Sequence, residues 1–144
     1  MWQLWNQPAS RKLLAIEAAA YLVWARAMVA RVPVSHWRRE LANLPSDTLR
    51  EPFTACTTDI VWAVEGVSRT FPERFTCLSR AVAVAYMLSR RGHACHLRIG
   101  VLPSVDGQLD AHAWVEHSGN VIVGRLPNLE LYVELTDEYD HRHD

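Results

Sequence analysis

The first part of the chain carries apolar residues at the spacing of helices. They recur every three or four positions over three segments, which predicts helices at 11–32, 60–69 and 77–91. Pro33 ends the first of these, and Gly92 provides the left-handed backbone that commonly follows a helix. The first helix is predicted to bury a broad apolar face, formed by Leu14, Ala18, Tyr21, Leu22, Ala25, Met28, Val29 and Val32.

The spacing changes to strict alternation near residue 96. Apolar and polar residues alternate over 96–101 and again over 109–116, which predicts two strands with one buried face each. Shorter apolar runs at 121–123 and 131–133 predict two more strands. Helices followed by an antiparallel meander indicate the α+β class.

Length, composition and charge are those of one ordinary globular domain. The 144 residues are 49% hydrophobic, which is enough to build a core. Fifteen basic against 16 acidic residues leave a net charge of -1, which argues against a dedicated nucleic-acid binder. We expect a helical lead-in at 1–51, a core at 52–135 and a frayed tail at 136–144.

Neither the cysteines nor the N-terminus indicate export. Cys56, Cys77 and Cys95 cannot all pair within one chain, and their spacing fits no disulfide framework, so a reducing cytoplasm is expected. The apolar run from 13 to 32 is long enough to raise the question of a membrane span. It contains Glu17 and Arg26, which are costly in lipid, so membrane association is not expected.

Cys77 opens the third predicted helix. Backbone N–H groups and the helix dipole favour an anion at that position, so a thiol there ionises more readily than a free one. The thiolate is the nucleophilic form, and the same N–H groups can stabilise the oxyanion of a tetrahedral intermediate. Most cysteines are simply small buried residues, and position alone favours that interpretation.

His112 lies in the middle of the second predicted strand, beside Trp114. A lone strand histidine is usually a core or surface residue. A helix-terminal cysteine followed by a mid-strand histidine, however, is the order that lets a helix N-terminus lie across a sheet with thiol against imidazole. His112 would then take the proton of Cys77 and later protonate the leaving amine.

Four segments of the chain together resemble a known family. They are Thr76-Cys77-Leu78, Leu88-Ser89-Arg90-Arg91-Gly92, Leu97-Arg98-Ile99-Gly100-Val101 and Ala111-His112-Ala113-Trp114-Val115-Glu116. In this order the segments resemble the leader peptidases of lasso-peptide biosynthesis, which are bacterial members of the transglutaminase-like superfamily. The resemblance covers most of the chain. It implies a papain/transglutaminase-like fold, in which N-terminal helices precede a nucleophile-bearing helix packed on a small antiparallel sheet.

The function implied by this resemblance is that of a cysteine endopeptidase. Such an enzyme removes the leader from a ribosomally made precursor peptide and needs no cofactor. Because residues 1–51 resemble the family's own helical lead-in, we expect a separate leader-recognition protein to act in trans. An asparagine-synthetase-like macrolactam cyclase is expected to act next on the core peptide.

The chain departs from the family at the third catalytic position. That residue is commonly an aspartate twelve residues beyond the histidine, and here the position is Gly124. Asp110, on the same strand and face as His112, is the first substitute, although it also fits a solvated acid after a turn. Asn128 is the second, since a neutral amide also holds an imidazole.

A structural zinc site is a weaker interpretation of the same residues. His93, Cys95 and His96 stand close in sequence to each other, and with Cys77 and His112 they make five suitable ligands. Cys95 and His96 point to opposite faces of any strand, so they cannot share a tetrahedral ion without a local break. No metal is therefore expected.

Two other functions stay open at this point. A Cys/His site forms a thioester, which water resolves to hydrolysis and an amine resolves to acyl transfer, so an acyltransferase fits the same residues. A non-catalytic scaffold that binds the precursor fits the missing aspartate.

Overall fold

The computed structural model describes residues 9–32 and 57–135. Most of the predicted lead-in, the predicted tail at 136–144 and Cys56 lie outside the described residues.

Three helices occupy the segments that the apolar spacing predicts. They are α1 (Ala9–Arg31), α2 (Thr57–Thr70) and α3 (Cys77–Arg90). The inner face predicted for α1 is confirmed except at Met28, because Leu14, Ala18, Leu22 and Ala25 are buried and Tyr21, Val29 and Val32 pack around them. Met28 is half-buried and does not belong to this cluster. Gly92, just beyond α3, has the predicted left-handed backbone, with φ 76°.

Four antiparallel strands follow the helices. They are β1 (His96–Pro103), β2 (Leu109–His117), β3 (Asn120–Val123) and β4 (Val133–Glu134), and they lie in the order β3-β2-β1-β4. The first three match the predicted strands.

The last predicted strand is wrong in its position. Its first residue, Leu131, ends a 3-10 turn that begins at Leu129, and Tyr132 links this turn to the short strand β4. The prediction failed because a segment as short as 131–133, with apolar residues at its two ends, fits either a short strand or the end of a turn. The sheet nevertheless has the predicted antiparallel form, and the fold is α+β and consistent with a papain/transglutaminase-like architecture.

A single cluster of buried side chains joins the helices to one face of the sheet. The central helix is α3, in which every residue from 81 to 88 is buried. The sheet contributes Ile99, Ala113, Val115 and Val123 to this cluster. Because α3 is enclosed along its length, its first turn is held at a defined position relative to β2.

α1 is long and apolar enough, by length and composition alone, to cross a membrane over Ser10–Arg31. A core helix of a soluble protein passes the same test. Here the inner face of α1 packs against α2 and α3, and two ion pairs fasten it, Arg91 to Glu17 at 2.6 Å and Arg11 to Asp59 at 3.2 Å. On its outer face, Leu13, Ile16 and Val23 are exposed.

Candidate active site

Cys77 is the first residue of α3 and is half-buried. Thr76 precedes it in an extended conformation and caps the helix, its Oγ1 accepting a hydrogen bond from the N–H of Ser79 at 3.2 Å. The N–H of Arg80 donates to the carbonyl of Thr76 at 3.1 Å. Within the described residues, the N–H groups of Cys77 and Leu78 have no acceptor. They are the donors that the first turn leaves for an anion.

His112 lies on β2, directly opposite Gly100 of β1. Its Nε2 is 2.6 Å from the carbonyl oxygen of Gly124. Two aromatic rings flank the imidazole. Trp114 lies nearly parallel to it, at 16° and 6.3 Å between centroids, and Tyr132 is tilted by 53° at 5.8 Å. The imidazole is therefore held by one hydrogen bond and by contacts with two rings.

Gly100 makes room for these rings. A Cβ at this position would lie 2.9 Å from Cη2 of Trp114 and 3.1 Å from the Cβ of Tyr132. The first approach is closer than real side chains allow and the second is tighter than most, so even alanine would push the indole away. The glycine in the middle of β1 is thus explained by the packing of Trp114 and Tyr132 on this face of the sheet.

Tyr132 connects the other predicted site residues. Its hydroxyl donates to Oδ2 of Asp110 at 2.5 Å. The pKa of the Tyr132 phenol is raised, chiefly by this hydrogen bond, and in smaller part by burial and by Coulombic interaction with Asp110 and Cys77. Cys77 therefore lies within electrostatic range of a tyrosine that contacts both Asp110 and His112.

Asp110 and His112 both contact Tyr132, and Cys77 acts on this tyrosine electrostatically, but these three predicted residues are not bonded to each other. Among the described residues, Cys77 shares no hydrogen bond with His112, and the carboxylate of Asp110 is bonded to Tyr132 rather than to the imidazole. Asn128 precedes the 3-10 turn and makes no side-chain capping bond there. In proteins without bound substrate, catalytic hydrogen bonds are often long and shorten only in the complex.

The raised pKa of the Tyr132 phenol can be tested by titration. We expect Tyr132 to ionise above the ordinary pKa of 10.0, and Asp110→Asn to move its midpoint back down, because the amide has no charge and accepts more weakly. Since the folded pKa is raised, the contact contributes stability below pH 10, and this stability is lost as the pH rises through the folded pKa. Tyrosinate absorbance, with Tyr132→Phe to identify the signal, measures the midpoint. An unchanged midpoint in Asp110→Asn would contradict the assignment.

A row of polar contacts, formed by Glu116, Arg98 and Glu134, holds the indole of Trp114 in place. The indole Nε1 donates to Oε1 of Glu116 at 3.1 Å. Arg98 pairs with Glu116 at 3.5 Å and with Glu134 of β4 at 2.7 Å. Hydrogen bonding to Glu134 is the main reason that the pKa of Arg98 is raised, so the guanidinium stays charged. The row fixes the indole that lies beside His112.

The residues considered for zinc do not converge. The rings of His93 and His117 meet edge to face, and Cys95 lies 3.8 Å from Oγ of Ser89. Within the ranges 9–32 and 57–135, the structure has no group of three or more His, Cys, Asp or Glu residues that could hold a metal ion.

Sequence reasoning missed two groups at this site. The sequence predicts Tyr132 only as a strand residue, whereas the structure brings its hydroxyl to Asp110 because β4 pairs with β1. At Gly124 the sequence shows only a missing side chain, whereas the backbone carbonyl of this residue contacts His112. The positive signal available in the sequence was the isolated glycine just after a short strand, which often marks a close backbone approach.

Comparison with known proteins identifies the family. A family model described as the transglutaminase-like superfamily matches residues 18–137, which is most of the chain and includes both Cys77 and His112. No curated protein and no solved structure matches the chain significantly. The fold of this superfamily is generally that of cysteine proteases and acyltransferases.

Proposed function

The chain belongs to the transglutaminase-like superfamily, and on that premise we propose that it is a cysteine endopeptidase that removes the leader from a lasso-peptide precursor. The observation that carries the proposal is the start of α3. Cys77 stands there beside two open backbone N–H groups, within electrostatic range of Tyr132, which contacts the ring of His112. Nucleophile, anion donors and imidazole are the parts that acyl transfer through a thioester requires.

In the first half of the reaction, Sγ of Cys77 attacks the carbonyl carbon at the leader–core junction. The N–H groups of Cys77 and Leu78 receive the oxyanion. His112, carrying the proton of the thiol, protonates the leaving amine, and the C–N bond breaks to leave a thioester on Cys77.

Water completes the cycle. His112 takes a proton from the water molecule as its oxygen attacks the thioester, and the C–S bond breaks. The products are a carboxylic acid at the end of the leader and the thiol of Cys77, which regains its proton. Asp110 acts in this scheme through Tyr132, which it holds against the imidazole.

The compartment and the partner proteins that we propose follow from the resemblance of the sequence motifs to those of the leader peptidases. The enzyme works in the cytoplasm with a separate leader-recognition protein, which brings the precursor to it. An asparagine-synthetase-like cyclase then closes the core peptide. The segments that support this proposal are those around Cys77 and His112, in the order in which the leader peptidases have them.

Reconstitution tests the proposal directly. The purified chain is mixed with a precursor peptide and the separate leader-recognition protein, and the products are followed by mass spectrometry. We expect two fragments whose masses sum to that of the precursor plus one water. A product joined to an added amine would support the acyltransferase instead, and an intact precursor that stays bound to the chain would support a scaffold.

The non-catalytic scaffold is the second candidate. It is favoured by the lack of a hydrogen bond between Cys77 and His112 among the described residues, and it predicts a thiol of ordinary reactivity at position 77. The enzyme predicts a thiol of high reactivity at position 77, because Cys77 is then the attacking nucleophile beside the open N–H groups of the first turn of α3.

Alkylation with iodoacetamide at neutral pH separates these two candidates. We expect Cys77 to react faster than Cys56 and much faster than Cys95. Burial raises the pKa of the Cys95 thiol, which lowers its thiolate fraction and so makes it the internal reference. Peptide mass spectrometry after timed quenching gives the three rates. Equal and slow labelling of all three cysteines would favour the scaffold.

A further inference from the structure

We infer that the backbone carbonyl of Gly124 is the group that orients the imidazole of His112, so that the third member of this site is a main-chain atom. The inference deepens the proposed function, since it rests on His112 acting as the acid and base. Its starting point is the distance of 2.6 Å between Nε2 of His112 and the carbonyl oxygen of Gly124.

This contact determines the state of the ring. A carbonyl oxygen accepts hydrogen bonds and never donates them, so Nε2 must carry a proton. In the neutral imidazole the other nitrogen, Nδ1, is then unprotonated and has its lone pair available. Nδ1 is therefore the atom that can take the proton of Cys77, and it is the Nε2–H side of the ring that is fixed to the protein.

The backbone at Gly124 can approach the ring only because it has no side chain. Its φ of +82° is a conformation that residues with a Cβ rarely adopt. A Cβ there would also lie 2.6 Å from the carbonyl oxygen of Ala113 and 2.9 Å from the Cβ of Trp114. An aspartate at this position would thus be strained and would clash with β2.

A register shift in the sheet brings Gly124 to this place. The pairing of β2 with β3 is irregular between Val115 and Glu116, and Gly124 follows directly after Val123, the last residue of β3. The chain therefore leaves β3 against the backbone of β2, which turns the carbonyl of residue 124 toward His112. β-Bulges often redirect the groups of a strand in this way.

Asp110, the first side-chain candidate, has a different partner. The carboxylate of Asp110 accepts the hydroxyl proton of Tyr132, and Trp114 and Tyr132 touch the imidazole through their rings. These contacts set the plane of the ring, whereas only a hydrogen bond at a ring nitrogen selects the tautomer. Gly124 is thus a positioning residue, which acts through His112 and does not touch the substrate.

Nuclear magnetic resonance of the histidine rings tests the inference without any substrate. In protein labelled with nitrogen-15, long-range proton–nitrogen correlations separate a protonated from a bare ring nitrogen, and His112→Gln identifies the signals of His112. We expect the neutral ring to have Nε2 protonated and Nδ1 bare, with a slowly exchanging Nε2 proton. The same pattern should persist in Asp110→Asn. A ring protonated at Nδ1, or a tautomer that changes in Asp110→Asn, would overturn the inference.

A single-atom change tests the catalytic consequence. Replacing the amide between Gly124 and Arg125 by an ester weakens the carbonyl as an acceptor while adding no Cβ. We expect kcat for leader removal to fall about 10- to 100-fold with little change in KM, and the Nε2 proton to exchange faster. The matched control is the same ester between Gly107 and Gln108, in an exposed turn.

The two readouts distinguish the possible failures. Unchanged kcat together with unchanged proton exchange would overturn the role of Gly124. If the protein cleaves no precursor at all, the ring spectrum still decides whether Gly124 holds His112, and only the proposed function fails. Gly124→Ala supplies a third variant, for which we expect loss of the slowly exchanging proton. Retention of that proton would contradict the close approach seen here.

Discussion

Replacing Cys77 by alanine should lower the rate of leader removal by more than about 10,000-fold, because the thioester cannot form without the sulfur. The open N–H groups at the start of α3 stay in place in this variant, so binding of the precursor should persist. We expect the free energy of unfolding to change by less than about 1 kcal/mol, since Cys77 is half-buried and the cap is made by Thr76. Cleavage followed by mass spectrometry, with circular dichroism and a denaturation curve, measures both effects.

Cys95→Ala is the matched control for this prediction. Cys95 is also half-buried, but it lies between α3 and β1 and contacts Ser89 and Ala85 rather than the site. Its removal should leave the rate of cleavage unchanged. Cysteine chemistry at position 77 would be disproved if Cys77→Ala cleaved at the normal rate while remaining folded.

The helices were predictable because the apolar residues that recur at helical spacing are the ones that the fold buries. α3 is the clearest case, since a run of apolar residues follows Thr76 and Gly92 closes it, and both ends lie where the pattern places them. The apolar spacing places the start of this helix at Cys77, whereas the cap that Thr76 makes there is seen in the structure. Local patterns of this kind are decided within one element, which is why they are readable without knowledge of the fold.

The sequence predicted where the second strand begins and ends, but it predicted less well which of its side chains are exposed to solvent. Alternation placed His112 and Trp114 on one face, opposite Ala113 and Val115. Trp114 is buried like Ala113 and Val115, because Tyr132 lies over Gly100 beside the indole and Gly124 approaches its Cβ on the face that alternation alone would leave to solvent. The environment of His112 thus depends on segments distant in sequence.

The contacts of the imidazole could not be predicted for the same reason. A carbonyl is present at every residue, so no side-chain pattern marks the one at Gly124 as a hydrogen-bond acceptor for His112. Its role depends on the register shift between β2 and β3, which a residue count does not reveal. The missing aspartate is visible in the sequence, whereas the main-chain group in its place is visible only in the fold.

The second large effect is expected at His112. His112→Ala should reduce leader removal about 1,000-fold or more, because His112 is the group that protonates the leaving amine in the proposed mechanism. His112→Gln is the matched variant, since its amide N–H can reach the carbonyl of Gly124 much as Nε2 does, yet it cannot exchange a proton near neutral pH. We expect it to be equally inactive but more stable than His112→Ala, as measured by cleavage rates and denaturation.

Combining the changes shows whether thiol and imidazole act as one unit. The double variant Cys77→Ala, His112→Ala should be no slower than Cys77→Ala alone, because proton transfer by His112 is useful only when the thiol attacks. Fully additive losses would mean that the two residues act independently. Normal cleavage by His112→Gln would mean that His112 has only a structural role, in which its hydrogen bond to Gly124 is all that the reaction needs.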